Sequence, residues 1–291
     1  MTKELESIIG NSEYIILKNG EILEGSLESL DFSKSVELKL IHIIDKNVDL
    51  NINIKEGSNV HLEEVFYDVK EDVTINLNIN CLKDSYLKYL SFKTNNSGKI
   101  CVNVNISLYE NAYIENKNIT SFLGEAEYKQ NICLEEKNSR IESMDVVINN
   151  SGKVQKFNLD TYHNIGDSFS TMKNFCISKN ESVIYMNTNG KITKGSAKSD
   201  LSQKTKGLIL DETSQISANP LLLIDEYDCL ASHGASIGAI DEEELYYLMS
   251  RGLTRSDSER LIVEGFVYPF TSELKDEKIR TYVLSLIKKI L

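Results

Sequence analysis

Side chains able to do chemistry are sparse in this 291-residue chain, and their spacing limits what they can do. There are five cysteines, Cys81, Cys101, Cys133, Cys176 and Cys229, and no two are spaced C-x-x-C. A zinc or cluster site built from cysteine pairs within one segment is therefore not encoded. The odd number of thiols argues against a disulfide framework. The first four read most simply as buried free thiols. No G-x-x-x-x-G-K-S/T phosphate loop occurs, so no nucleotide is expected to bind this chain. The acids are scattered, whereas a β-helix enzyme that cleaves polysaccharides needs paired carboxylates in a groove. His233 has the most suggestive setting, Ser232-His233-Gly234-Ala235. A neutral imidazole is a suitable ligand for iron, including among sulfur ligands. The same ring could satisfy a buried turn, and both readings stay open at this point.

Charge narrows the partners. The chain has 44 acids against 32 bases, a net charge of −12. Nucleic acid and anionic membrane are poor partners for it, because phosphate binding needs clustered Lys and Arg. No apolar run is long enough to span a bilayer. The N-terminal MTKELESIIG lacks an apolar core of signal-peptide type. A cytoplasmic location is expected.

The elements that must position these side chains are mostly strands. Segments 48–54 (VDLNINI), 73–79 (VTINLNI) and 100–106 (ICVNVNI) alternate apolar and polar residues, the pattern of a strand with one buried face. All 27 asparagines precede residue 220, and the first proline is Pro220. A corner cluster recurs as Gly57-Ser58-Asn59-Val60, Asp84-Ser85-Tyr86-Leu87, Asn111-Ala112-Tyr113-Ile114 and Asn138-Ser139-Arg140-Ile141, at steps of 27 residues. Asp167-Ser168 and Gly195-Ser196 follow at steps of 29 and 28. Gly, Asp and Asn suit such corners because they tolerate unusual backbone angles. A fixed period in the twenties marks a solenoid of stacked coils, whereas a β-sandwich or hairpins would repeat every 8–12 residues. The fold class expected is mainly β: a parallel β-helix with a helical C-terminal part.

After Pro220 the pattern turns helical. Asp241 is the expected N-cap of a helix containing Leu245, Tyr246, Tyr247 and Leu248, with Glu244 at its third position and Gly252 as its stop. Ser256 and Glu259 repeat the cap pattern, Gly265 is expected to end that helix, and Pro269 to force a break. A third helix is expected over 272–290. Such helices could cap the open end of the solenoid or form a docking surface. The organisation expected is an N-terminal segment 1–13, a β-helix core 14–238 and a helical subdomain 239–291. Only 3–9 could be helical at the N-terminus.

Residues 219–270 closely resemble the C-terminal signature of the SufB/SufD family. The matching elements are the Pro-x-Leu-x-Ile strand at 220–224, Ser-His-Gly-Ala at 232–235, the Asp-x-x-x-Leu-Tyr-Tyr-Leu helix at 241–248, Ser-Arg-Gly at 250–252 and Glu-Gly-Phe at 264–266. The resemblance implies a right-handed β-helix core and a scaffold for iron–sulfur cluster assembly, not an enzyme by itself. It implies a homodimer, or a heterodimer with a SufB-like chain, and a SufC-like ABC ATPase docked on the C-terminal helices. The docking set is then Leu245, Tyr246, Tyr247, Leu248, Arg251, Gly252 and Phe266. His233 becomes a candidate ligand for a transient iron–sulfur cluster at the dimer interface. Cys229, four residues before it, shares its face on a regular strand and is a second candidate. SufB carries a Glu where this chain has Gly234, and a cysteine on an upstream strand where this chain has Thr205-Lys206-Gly207-Leu208. The chain thus resembles a short, core-only, SufD-like member. The alternative function is a partner of the ATPase, structural or regulatory, that carries no cluster.

Overall fold

The computed structural model describes residues 8–10, 12–272, 281 and 284. The described strands are β1 (Glu13–Lys18), β2 (Glu21–Gly25), β3 (Asp31–Phe32), β4 (Val36–Ile44), β5 (Val48–Ile54), β6 (Asn59–Val69), β7 (Val73–Cys81), β8 (Tyr86–Thr94) and β9 (Ile100–Leu108). They continue as β10 (Tyr113–Ser121), β11 (Ala126–Leu134), β12 (Arg140–Asn149), β13 (Val154–His163), β14 (Phe169–Ser178), β15 (Val183–Ile192), β16 (Ser199–Ile209), β17 (Gln215–Ile224) and β18 (Cys229–Ala239). Two helices follow, α1 (Glu242–Ser250) and α2 (Arg255–Thr271).

The strands divide into two sheets. A ten-stranded sheet has the order β18-β16-β14-β12-β10-β8-β6-β4-β1-β2, and an eight-stranded sheet the order β17-β15-β13-β11-β9-β7-β5-β3. Apart from the antiparallel β1–β2 hairpin, neighbours are parallel, and the register is continuous except for one shift between His42 and Ile43 where β4 meets β6. Each coil thus contributes one strand to each sheet, which is a β-solenoid.

The corner residues explain the period. Gly57, Asp84, Asn111, Asn138, Asp167 and Gly195 all have positive φ, between 55° and 91°, the left-handed region where Gly, Asn and Asp are least penalised. Their side chains also stack. Asn111 Nδ2 donates to Asp84 Oδ1 at 2.7 Å, and Asn138 Nδ2 to Asn111 Oδ1 at 3.0 Å. The alternating runs place their apolar residues inward, so that Ile52, Ile79, Ile106 and Ile132 form one buried row. The asparagines between them face outward and form a ladder. Asn78 donates to Asn51 at 3.0 Å, Asn105 to Asn78 at 2.9 Å, and Asn131 to Asn105 at 2.9 Å. This accounts for the asparagine content of the strands, because stacked identical amides satisfy one another. The face of the eight-stranded sheet also holds Cys101 and Cys133, which are half-buried and not in the core, whereas Cys81 and Cys176 are buried.

Two inward rows of the ten-stranded sheet carry polar residues. One runs Glu64, Ser91, Asn118, Asp145, Asn174, Thr205 in strict register. All six are buried. Within it Glu64 accepts from Tyr89, faces Lys93 at 3.3 Å and His42 at 2.9 Å, and Asn118 donates to Asp145 at 2.8 Å. Burial opposes ionisation of Glu64, but Lys93, His42 and Tyr89 hold its pKa down to about 2. Burial pushes Asp145 up to about 6, against the donors Asn118 and Ser143 and the charge of Lys93. This file interrupts the largely apolar interior of the solenoid.

The helices follow their caps. Asp241 accepts from the N–H groups of Glu243 and Glu244 and starts α1, and Gly252 (φ 96°) follows its end. α2 starts two residues earlier than expected. Its N-cap is Thr254, which accepts from Asp257 N and donates to Asp257 Oδ2 at 2.7 Å. Gly265 does not end it, and Pro269 lies inside it. Burial explains both. Val263, Val267 and Phe270 pack on the outer face of the ten-stranded sheet, which outweighs the roughly 1 kcal/mol that an interior glycine costs. Pro269 falls in the last turn, so little of the hydrogen-bond ladder lies beyond it. The helices therefore cover a face of the solenoid and leave its C-terminal end uncovered among the described residues. Most of the expected helix over 272–290 lies outside the described residues, although 281 and 284 are helical, and so does most of the segment 3–9. No described helix is long and apolar enough to cross a membrane.

Candidate functional site at the open end of the solenoid

β17 and β18 are the outermost strands of their sheets at this end. No residue of β17 is fully buried, and every residue of β18 is exposed except the half-buried Cys229. Leu221, Leu223, Leu230 and Ile237 are among the exposed apolar side chains here, and Tyr227 projects from the turn between the strands. Two parallel edges with unpaired backbone groups and exposed leucines form a surface suited to pairing with another chain.

β18 positions both candidate ligands. It pairs with β16 in register, placing His233 beside Gln203 and Cys229 beside Ser199. Ser199 and Gln203 are 1% exposed and lie on the inward side of β16. His233 and Cys229 therefore occupy the inward-facing row of the last rung and are uncovered, because among the described residues no rung stacks above. His233 extends the second row, which runs Tyr89, Asn116, Ser143, Met172, Gln203 and is polar at Asn116, Ser143 and Gln203. The Thr205-to-Leu208 stretch lies on the adjacent strand, with Thr205 beside Ala235. That is two residues from His233, and it presents a hydroxyl and a glycine where a thiol would be needed.

The strand places Cys229 and His233 on one face but does not bring them together. Four residues at about 3.3 Å rise put them about 13 Å apart, whereas donors to one ion lie about 2 Å from it. They cannot ligate the same ion. Cys229 Sγ lies 3.3 Å from Glu226 O. Burial, then the carboxylates of Glu226 and Asp228, push its thiol pKa up. It is a weaker thiolate donor than an ordinary cysteine. Among the described residues no group of three or more His, Cys, Asp or Glu is placed to hold a metal. Another imidazole near this end, His163, is enclosed between Ser168 and Ser170 at 2.7 Å each, and burial lowers its pKa to about 4. It is a structural histidine.

The proposed docking residues divide into two groups. Leu245 is 0% exposed, and Phe266 packs edge-on against Phe175 with ring centroids 5.6 Å apart. Leu245 is therefore closed to a partner, and the half-buried Phe266 holds α2 to the ten-stranded sheet. Tyr246 and Tyr247 are 75% and 56% exposed. Leu248 is half-buried, and Arg251 and Gly252 are exposed. The Arg251 guanidinium sits 5.2 Å from the Tyr247 ring centroid, and Arg255 ties α1 to α2 through Glu242 at 2.6 and 3.1 Å. Sequence reasoning missed Gln203 and the exposed leucines. The one signal for Gln203 was its place one coil upstream of His233.

Together these features define the class: a parallel β-solenoid that ends in an open, apolar-edged rung carrying a single imidazole. A family model described as SUF system FeS cluster assembly, SufBD core domain, matches residues 46–266. The chain belongs to that family. It is 34% identical over 148 residues to the iron–sulfur cluster assembly protein SufD of Bacillus subtilis (strain 168), covering 51% of this chain and 34% of that protein. It is 30% identical over 233 residues to an iron–sulfur cluster assembly SufBD family protein of Staphylococcus aureus (strain USA300), covering 76% of this chain and 49% of that protein. The SufD of Escherichia coli (strain K12) matches at 31% over 96 residues, 33% of this chain and 23% of that protein. The chain thus spans half or less of the length of these relatives.

Proposed function

We propose that this chain is a scaffold subunit for iron–sulfur cluster assembly that pairs with a second SufB/SufD-type chain through its last rung and is driven by a SufC-like ABC ATPase docked on α1. The observation that carries this reading is the uncovered rung itself, where exposed apolar strands flank an inward-row histidine. Apolar surface of this kind is stabilised when another chain removes it from water. His233 then lies at the seam and offers one nitrogen ligand to a cluster carried as cargo, with the remaining ligands supplied from across the seam. The separation of about 13 Å along the strand from Cys229 and the hydroxyl of Thr205 favour a second reading, in which the chain supports the ATPase and a ligand-rich partner but holds no cluster of its own.

The docking half of the proposal rests on Tyr246, Tyr247 and Arg251, since aromatic and arginine residues are frequent interface anchors. Tyr247→Asp and Arg251→Glu are each expected to abolish co-purification with a co-expressed SufC-like ATPase at an unchanged melting temperature. Both sites are exposed, where substitutions usually move stability by no more than about 0.5 kcal/mol. Undiminished co-purification with both variants would remove α1 as the docking site.

A further inference from the structure

Gln203 is buried, at 1% exposure, yet among the described residues neither its Nε2 nor its Oε1 has a hydrogen-bond partner. Leaving both ends of a buried amide unpaired is costly, and such groups call for an explanation. The surroundings confine the side chain. A Cβ on Gly190 would come within 2.9 Å of Gln203 Nε2 and 2.6 Å of Leu201. Gly190, from the opposite sheet, thus leaves just enough room for this amide. The neighbour below Gln203 in its row is Met172, which offers no strong partner. The neighbour above is His233. Adjacent parallel strands lie about 4.8 Å apart, within reach of a glutamine amide and an imidazole pointing to the same side.

We propose that Gln203 is the positioning residue for His233: its amide accepts the N–H of one ring nitrogen and leaves the lone pair of the other directed out of the open rung. The chemistry is that of ligating histidines generally, whose second ring nitrogen is oriented by a hydrogen bond that fixes the tautomer. His233 is exposed in the uncovered rung and has freedom to turn. Covering the rung excludes water and drives the two groups together, satisfying the orphaned amide. The proposal rests on the reading of His233 as a ligand, but its direct consequence, one ring tautomer, is measurable without any metal.

The test is long-range nitrogen–proton NMR on the assembled, metal-free protein labelled at histidine nitrogens, at a pH where the ring is neutral. Wild type is expected to show His233 in a single tautomer. Gln203→Leu is expected to show a mixture of both. Gln203→Met fills nearly the same volume without an amide and gives the same reading should Gln203→Leu fail to fold. A His233 tautomer unchanged by both substitutions overturns the proposal. In the iron-loaded assembly the same variants are expected to weaken iron retention by about 10-fold, the lower end of the effect of such supporting residues. If His233→Ala keeps full iron content while the tautomer still depends on Gln203, the ligand reading fails and the positioning contact stands.

Discussion

Replacing Lys93 with methionine is expected to lower folding stability by about 3–5 kcal/mol, the usual effect of stranding one member of a buried ion pair. Lys93 Nζ lies 3.3 Å from Glu64 Oε2, and both side chains are 0% exposed. Without the ammonium, burial would dominate at Glu64, and His42 and Tyr89 alone would have to stabilise its carboxylate. The double variant Glu64→Gln, Lys93→Met is expected to regain most of the loss, because replacing a whole buried pair is often close to neutral. Urea unfolding of the two single variants and the double variant at pH 7 measures this as a coupling energy. A single-variant loss below about 1 kcal/mol would mean that water or rearrangement solvates the pair. The pH window follows from the shifts. Glu64 has a lowered pKa, so its contribution is present above about pH 4.5 and is lost as pH falls towards 2. Asp145 runs the other way. Its raised pKa means that stability declines as pH rises through the interval between its unfolded value near 4 and about 6. At pH 7 neither group is in mid-titration, so the comparison reports the ion pair.

The second large effect is expected at the uncovered rung. Leu230 and Ile237 are 68% and 40% exposed on β18. Changing both to lysine adds charge to a surface that pairing would desolvate, and like charges would face each other across a two-fold seam. The expected result is at least a 100-fold weaker association, about 2.7 kcal/mol, read by light scattering as a change from dimer to monomer. The fold should survive, since both side chains already face solvent. A double variant that remains dimeric would place the pairing surface elsewhere.

Much of the architecture was legible in the residues. Corners at Gly57, Asp84, Asn111, Asn138, Asp167 and Gly195 all fall in the left-handed region, because the few residue types that tolerate it recur at one spacing. Asp241 was legible as a cap for the same local reason. The extent of α2 was not. Gly265 and Pro269 are stop signals locally, but Val267 and Phe270 bury beyond them, and burial against a distant sheet is invisible to local pattern. The polar file through Glu64, Asn118 and Asp145 escaped for a related reason. Period two says which residues face inward, not which inward residues find partners one coil away. Of the candidate site, His233 was found through its motif, and its setting was not. Leu245 and Leu248 sat three apart as docking or packing residues, and only the packed structure separates the buried Leu245 from the exposed Tyr246 and Tyr247.

On the proposed reading, the open rung and its histidine hold a cluster together with a second chain. The most direct measurement is anaerobic purification with the ABC ATPase and partner chain, followed by iron and acid-labile sulfide analysis of wild type and His233→Ala. Iron and sulfide are expected in near-equal amounts in wild type. A several-fold loss of both is expected in His233→Ala at an unchanged melting temperature and dimer content. Equal iron and sulfide in the two proteins would contradict the proposed reading.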